Sequence, residues 1–442
     1  MGAGTIIYEG GPAVDIAICT LGCKVNQVET QAMERELLRR GHTLVPFGGP
    51  ADACIINTCT VTAVSDKKCR NIIRRARKNA PEAVVAVCGC YAQTGPEAVS
   101  ALGVDLVSGS AGRMAFLDEL EKLLQARGEQ VITVDSALER REFERLPAGG
   151  AAGRTRAMLK VEDGCVNFCS YCVIPYARGP VRSLPLDEAA AEAHRLAAEG
   201  YREVVLTGIE ISSWGRDLKT GEGLIDLIED VCAAAPGLRA RLGSLEPRTI
   251  TPDFCRRAAA LPNLCPHFHL SLQSGCDATL ARMRRKYDTA RYYESVQLLR
   301  EYFPDPGITT DLITGFPGET EEEFAQTLAF VERCAFTAMH VFPYSRRPGT
   351  PAADLPGQIP TAEKEDRARR AIALGEALEG RWLAGQVGKT LPVLFEEEKD
   401  GLWQGHTPSY ALVRAQGKDL HNHLLNVYIA GAEGSALLGE IP

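Results

Sequence analysis

The chain has 442 residues, 45% of them hydrophobic and 24% charged, with 15 cysteines and a formal net charge of −8. That apolar share supports packed cores and excludes disorder as the default, while the acidic balance argues against a protein that coats nucleic acid without specificity, which needs a basic surface. No run of eighteen apolar residues occurs, so no membrane span is expected.

The opening MGAGTIIYEGGPAVD has no basic stretch followed by a long apolar run. It predicts no signal peptide and a cytoplasmic protein. Residues 14–110 then alternate short apolar runs with helical patterns. The runs VDIAIC (14–19), ACIIN (53–57), AVVAVC (83–88) and VDLV (104–107) predict strands, and 29–40 and 65–79 predict helices. This alternation predicts a parallel α/β domain over 13–137. The polar, Gly-rich stretch that follows, including AGGAAGRTR, reads as a linker over 138–154.

From 155 the alternation returns. AMLKV (157–161), EVVLT (203–207), RARLGS (239–244), HFHLSL (267–272), ITTDLI (308–313) and AMHVF (338–342) predict strands with helices between them. Six βα units predict a partial (β/α)6 barrel over 155–378, an open relative of the eightfold version. A charged amphipathic helix over 361–383 leads into LPVLFEE, LWQGH, YALVR, HLLNVYI and ALLGE. These five runs predict a small five-stranded β-barrel over 379–442, of the oligonucleotide-binding kind. GKT at 388–390 is not a phosphate loop, because Leu383 stands where the first glycine is required.

Fifteen cysteines without an export signal point to metal binding or catalysis rather than a disulfide framework. DGCVNFCSYC places Cys165, Cys169 and Cys172 just after the first strand of the barrel, spaced C-x3-C-x2-C. Three thiolates on one tight loop hold three irons of a cubane cluster and leave the fourth open to a small molecule. A structural zinc site would need a fourth ligand, and no Cys or His lies close by in sequence.

Cys23, Cys59 and Cys90 each fall shortly after a predicted parallel strand. Strand C-terminal ends converge on one crevice, so these three predict a second three-thiolate site. Cys19, Cys54, Cys69 and Cys88 compete for that assignment. Cys19, Cys54 and Cys88 lie within apolar strands, where cysteine acts as a small hydrophobe, and Cys69 lies in a basic helix. Cys232, Cys255, Cys265, Cys276 and Cys334 read as structural.

At the C-terminal ends of the barrel strands stand Thr207, Gly208, Ser244, Glu246, Ser271, Gln273, Asp311 and Gly315. They are candidate cofactor or substrate contacts, with turn chemistry and capping as the plain alternative. Two basic clusters, 67–78 and 282–286, are candidate phosphate contacts or ordinary solvated helix faces.

TLGCKVNQVET, INTCTVT, GCYAQ, DGCVNFCSYCVIPYARG, RLGSLEP, HLSLQSGCDATL and GFPGETEEEF together resemble the methylthiotransferases among the radical S-adenosylmethionine (SAM) enzymes. Within them, LGCKVNQ, LTGI and RLGSLEP resemble the threonylcarbamoyladenosine-tRNA branch, while Glu210 stands where members often carry His. The resemblance implies a radical SAM barrel and a terminal TRAM-type barrel. It assigns Cys165, Cys169 and Cys172 to a radical [4Fe-4S] cluster and Cys23, Cys59 and Cys90 to an auxiliary one. It implies two equivalents of S-adenosylmethionine, one as methyl donor and one as radical source, and an electron donor of flavodoxin-like kind. The implied partner is the tRNA anticodon loop, where the adenosine at position 37 gains a 2-methylthio group. The rival readings are an isopentenyladenosine substrate, a ribosomal-protein aspartate, or a non-catalytic iron–sulfur carrier.

Overall fold

The computed structural model describes residues 13–150 and 155–441. Most of the opening segment read for export, and residues 151–154 of the expected linker, lie outside the described residues. The described chain falls into two compact units. The first holds the N-terminal region together with residues 164–166 and 173–180; the second holds the rest.

The first unit is a parallel six-stranded sheet with helices on both faces. Its elements are β1 (Asp15–Thr20), α1 (Lys24–Arg39), β2 (Thr43–Val45), β3 (Ala53–Thr58), α2 (Ala63–Asn79), β4 (Val84–Gly89), α3 (Cys90–Thr94), α4 (Pro96–Ser100), β5 (Leu106–Ser108), α5 (Arg113–Gln125) and β6 (Val131–Thr133). The strand order is β2-β1-β3-β4-β5-β6. β3 and β4 are buried along their whole length, as parallel strands covered on both faces must be. Their side chains alternate between two cores. Cys54, Ile56, Val85 and Val87 pack with Ile73 and Ala76 of α2. Ile55, Val84, Ala86 and Cys88 pack with Met33 and Leu37 of α1 and Phe116 and Leu120 of α5. Each fully buried aliphatic side chain contributes roughly 1.5–3 kcal/mol. The edge strands β2 and β6 were not expected from the sequence. Each has three residues, partly exposed, and is fixed only by its neighbour in the sheet.

The second unit begins with β7 (Arg156–Lys160) and β8 (Glu162–Asp163). The short helix α6 (Ile174–Arg178) belongs to the first unit, and β9 (Arg182–Ser183), which pairs with β8, to the second. The barrel then runs through α7 (Leu186–Ala198), β10 (Glu203–Thr207), α8 (Leu224–Ala234), β11 (Arg239–Leu242), β12 (Ser244–Leu245), α9 (Pro252–Ala259) and β13 (His267–Leu270). It closes with α10 (Asp277–Arg282), α11 (Thr289–Tyr302), β14 (Gly307–Thr314), α12 (Glu321–Cys334) and β15 (Ala338–Pro343).

Its parallel ladders run β7-β10-β11 and β12-β13-β14-β15. Ala240 of β11 also bridges in parallel to Leu264, three residues ahead of β13. RARLGS, expected as one strand, is thus split at Gly243, whose N–H bonds back to Leu206 O at 2.8 Å. The result is the expected open barrel of six parallel strand positions. α12 starts at a capping box in which Thr320 and Glu323 serve each other's backbone N–H.

After α13 (Thr361–Ala384), strands β16 (Thr390–Lys399), β17 (Leu402–His406), β18 (Leu412–Ala415), β19 (Leu424–Glu433) and β20 (Ala436–Glu440) close a barrel in the order β16-β17-β18-β20-β19. Val393, Phe395, Val413, Val427, Ile429 and Leu437 fill it.

Candidate functional site

β1, β3 and β4 are consecutive in the sheet, about 4.8 Å apart. Cys23 caps the N-terminus of α1 after β1, Cys59 follows β3 directly, and Cys90 opens α3 after β4. The fold therefore brings the three expected thiols to neighbouring strand ends. Cys23 is exposed, whereas Cys59 and Cys90 are buried. An added Cβ at Gly22 would stand 2.8 Å from Cys59 Cβ and 3.0 Å from its Sγ, so the loops carrying Cys23 and Cys59 touch. Gly89 has φ +100°, and a Cβ there would meet Thr58 O at 2.4 Å and Asn57 Oδ1 at 2.6 Å. Only glycine permits the turn that delivers Cys90.

Burial pushes the Cys90 thiol up to about 12, against the pull of Arg178, and the charges of Cys23 and Cys59 raise it further. Burial likewise raises Cys59. Thiols held up in this way become ligands only where a cationic centre replaces their protons, and an iron–sulfur cluster would supply that charge. The donor set therefore fits the group. Among the described residues, no three His, Cys, Asp or Glu side chains group so as to hold a single metal ion.

Of the competing cysteines, two lie inside β3 and β4 and one lies beside Cys59. Cys54 and Cys88 lie in the two cores. Cys69 donates to Cys59 O at 3.3 Å, and burial pushes its thiol up to about 12.

In the second trio, Cys165 belongs to the first unit, where its N–H bonds to Gly179 O at 3.0 Å. Cys169 and Cys172 belong to the second, with Cys172 N–H on Cys169 O at 2.9 Å. Ser170 pins this turn through its N–H to Met283 O at 3.0 Å and its hydroxyl to Arg282 O at 2.7 Å. Arg285 Nη1 lies 3.1 Å from Cys169 Sγ. Tyr171 is half-buried, edge-on against Phe316, and loss of solvent around its phenol pushes it well up.

The strand-end candidates divide. Thr207 is buried, and an added Cβ at Gly208 would meet Glu162 Oε2 at 2.6 Å. Glu162, not singled out in the sequence, accepts the Glu210 N–H at 2.8 Å. Burial raises both the Glu162 and Glu210 carboxyls. Ser244 is exposed. Glu246 is bonded to Arg248 at 2.7 and 2.9 Å. Ser271 O accepts the Tyr287 hydroxyl. Gln273 N–H donates to Asp311 O at 2.9 Å, and the Asp311 carboxylate lies 3.3 Å from His269 Nε2. Gly315 N–H donates to Glu319 at 2.7 Å. A cleft of about 500 Å3 opens beside Ser212, Arg216, Glu246, Arg248 and Lys286. Glu246 is the one strand-end candidate that lines it.

The basic clusters are smaller than the sequence suggested. On α2, Lys67, Lys68, Arg74, Arg75 and Lys78 are exposed, but Arg77 is held by Asp105 at 2.6 Å and Arg70 by the Tyr91 hydroxyl at 3.0 Å. In 282–286, Arg282 pairs with Glu323 and Arg285 turns to Cys169, which leaves Arg284 and Lys286 exposed. Sequence reading also missed Asn26, Glu29 and Arg178. Their signal was polarity on buried faces, which appears only once the elements pack.

Among the described residues, no helix is long and apolar enough to cross a membrane. Residues 159–331 match the model of the radical SAM superfamily, and residues 15–109 match an uncharacterized protein family, UPF0004. The chain is 37% identical to the threonylcarbamoyladenosine tRNA methylthiotransferase MtaB of Bacillus subtilis, covering 94% of both. It is 35% identical to MtaB of Aquifex aeolicus, over 94% of this chain and all of the relative. It is also 36% identical to a tRNA-2-methylthio-N(6)-dimethylallyladenosine synthase of Nitratidesulfovibrio vulgaris, over 95% and 97%. Among solved structures, the radical S-adenosylmethionine methyltransferase TsrM of Kitasatospora setae aligns with a TM-score of 0.54 over 77% of each chain. Its 18% identity makes this a likeness of fold alone.

Proposed function

The chain belongs to the methylthiotransferase family of radical S-adenosylmethionine enzymes, and we propose that it adds a methylthio group to carbon 2 of threonylcarbamoyladenosine at position 37 of tRNA. The observation that carries this reading is the pair of cysteine trios, one on a single loop and one on three adjacent strand ends. The 37% identity to MtaB over 94% of the chain supports the substrate.

In this reading Cys165, Cys169 and Cys172 hold the radical [4Fe-4S] cluster, and Cys23, Cys59 and Cys90 hold the auxiliary one. Bound there, the two clusters supply the electron that cleaves S-adenosylmethionine and the sulfur that is methylated and transferred. The chain's own part is to bind and orient. Three thiolates per centre would leave one iron for a small molecule, and Ser170 fixes the turn that presents Cys169. Thr207, Gly208, Glu246, Ser271 and Gln273 stand at or just past the C-terminal ends of β10, β12 and β13, where cofactor and substrate bind in such barrels. Ser244 opens β12, and Asp311 lies within β14 rather than at its end. The reductant is a low-potential donor of flavodoxin-like kind. The exposed bases of an anticodon loop suit recognition by stacking.

Anaerobic turnover with tRNA followed by nucleoside mass spectrometry tests the substrate. The 2-methylthio product is expected from tRNA bearing threonylcarbamoyladenosine. The similarity to dimethylallyladenosine synthases supports a second reading, and product from isopentenyladenosine-bearing tRNA alone would replace the first with it. A modified ribosomal-protein peptide would move the reading to that substrate, and no S-adenosylmethionine cleavage at all would make the protein a carrier.

Exposed Lys67, Lys68, Arg74, Arg75 and Lys78 on α2 are the basic surface proposed for the phosphates. Reversing charge at Arg74 and Arg75 is expected to weaken tRNA binding and to reduce the salt slope by about one per lost phosphate contact. Salt-dependent filter binding measures both.

A further inference from the structure

We propose that Arg178 is a positioning residue of the auxiliary centre, donating to the Cys90 thiolate and raising the reduction potential of the cluster held there. The inference rests on the reading that Cys23, Cys59 and Cys90 ligate that cluster.

Arg178 ends α6, six positions beyond Cys172, and its packing belongs to the first unit. Its side chain is 0% exposed. A guanidinium is removed from water only where its charge and its donors are met. Here each edge has a partner. Nε lies 3.2 Å from Cys90 Sγ. Nη2 donates to Asn26 Oδ1 at 2.7 Å. Nη1 donates to Glu29, which is also 0% exposed.

The partners tie this one group to all three cysteine loops. Asn26 Nδ2 donates to Leu21 O at 2.8 Å and Thr58 O at 2.9 Å, clamping the loops that lead to Cys23 and Cys59. Its Oδ1 lies 3.8 Å from Cys23 Sγ. Glu29 is held from its other side by Arg113 Nη2 at 2.7 Å. Arg113 in turn has Glu144 at its N–H and Gly109 O at Nη1. Arg178 is therefore the cation that faces the sulfur.

A charge-assisted N–H···S bond favours the more negative, reduced cluster and so raises its potential. The chain stretch that follows the radical triplet thus supplies an electrostatic element of the other trio.

The test uses the full chain with Cys165→Ala, Cys169→Ala and Cys172→Ala, so that only the auxiliary centre remains. Arg178→Gln and Arg178→Lys are compared with this parent after anaerobic reconstitution. The readouts are iron and sulfide content, electron paramagnetic resonance and a redox titration. The Gln protein is expected to keep about four irons, with altered g-values and a more negative midpoint. The Lys protein is expected to recover part of the shift, because it keeps the charge without the fork. If Gln loses its iron, the Lys protein decides alone: a midpoint shift supports the proposal, and so does iron loss with unchanged far-ultraviolet circular dichroism. A midpoint and spectrum equal to the parent's in an iron-loaded variant would overturn it. An iron-free parent would instead remove the trio assignment, and the proposal with it.

Discussion

Replacing Cys59 by alanine in the full chain is expected to abolish the methylthio product while leaving S-adenosylmethionine cleavage intact. Two thiolates remain at the first-unit strand ends, too few to retain a cubane with one open iron. Iron per chain should fall from about eight to about four. 5′-Deoxyadenosine should still form under dithionite, because Cys165, Cys169 and Cys172 are untouched. Replacing Cys169 by alanine should do the reverse: iron falls by the same amount, but cleavage and product are lost together. Iron analysis, 5′-deoxyadenosine chromatography and nucleoside mass spectrometry read the three quantities. Methylthio product from the Cys59→Ala protein would falsify the assignment of that trio. The two substitutions separate the trios because a single shared centre would lose both activities with either change.

Replacing Glu203 by glutamine is expected to destabilise the second unit by about 3–5 kcal/mol, the cost of leaving buried cations without their anion. Glu203 opens β10 and is 0% exposed. It accepts from Arg241 Nε at 2.7 Å and Nη2 at 3.0 Å, and from Arg239 Nη2 at 2.7 Å, with Arg156 Nε at 3.8 Å. Arg241 also donates to Pro408 O at 2.8 Å and Thr407 O at 3.2 Å, and its guanidinium lies 4.7 Å from the Tyr410 ring centroid. One carboxylate thus anchors the cations that grip the turn between β17 and β18.

Burial alone would raise the Glu203 value. Arg241 first, then Arg239 and Arg156, outweigh it and hold the carboxyl at about 2, against a usual 4.5. A folded value below the unfolded one stabilises above about pH 4.5 and loses that contribution as pH falls towards 2. The shift is worth roughly 3 kcal/mol. Scanning calorimetry should therefore find a large Tm gap between parent and Glu203→Gln at pH 7 that narrows towards pH 3. A gap independent of pH would contradict the ion-pair account.

Most strands of both units were legible because they are short apolar runs bounded by turn residues. EVVLT, LWQGH and ALLGE occupy β10, β17 and β20 residue for residue. The edge strands β2 and β6 were not legible, because three half-exposed residues carry no periodicity of their own. The convergence of Cys23, Cys59 and Cys90 was legible because parallel strands point their C-terminal ends the same way. Cys88 was separable from Cys90 by its place inside the strand, and it lies in the core. The cluster at 282–286 looked basic in sequence, but Arg282 and Arg285 turn inward to Glu323 and Cys169. Charge is a property of composition; where it points is a property of packing.

By itself the sequence determined the class of this protein: two cysteine trios, a six-strand radical barrel, a small terminal β-barrel and membership of the family. Those features are written locally, in spacing, periodicity and short motifs. Only the tertiary structure decided which buried charges meet one another. Arg178 meets Glu29 across 149 positions, and Arg241 meets Glu203 across 38. Such partners are chosen by the cost of an unpaired buried charge, and that cost does not exist until the chain has folded around it.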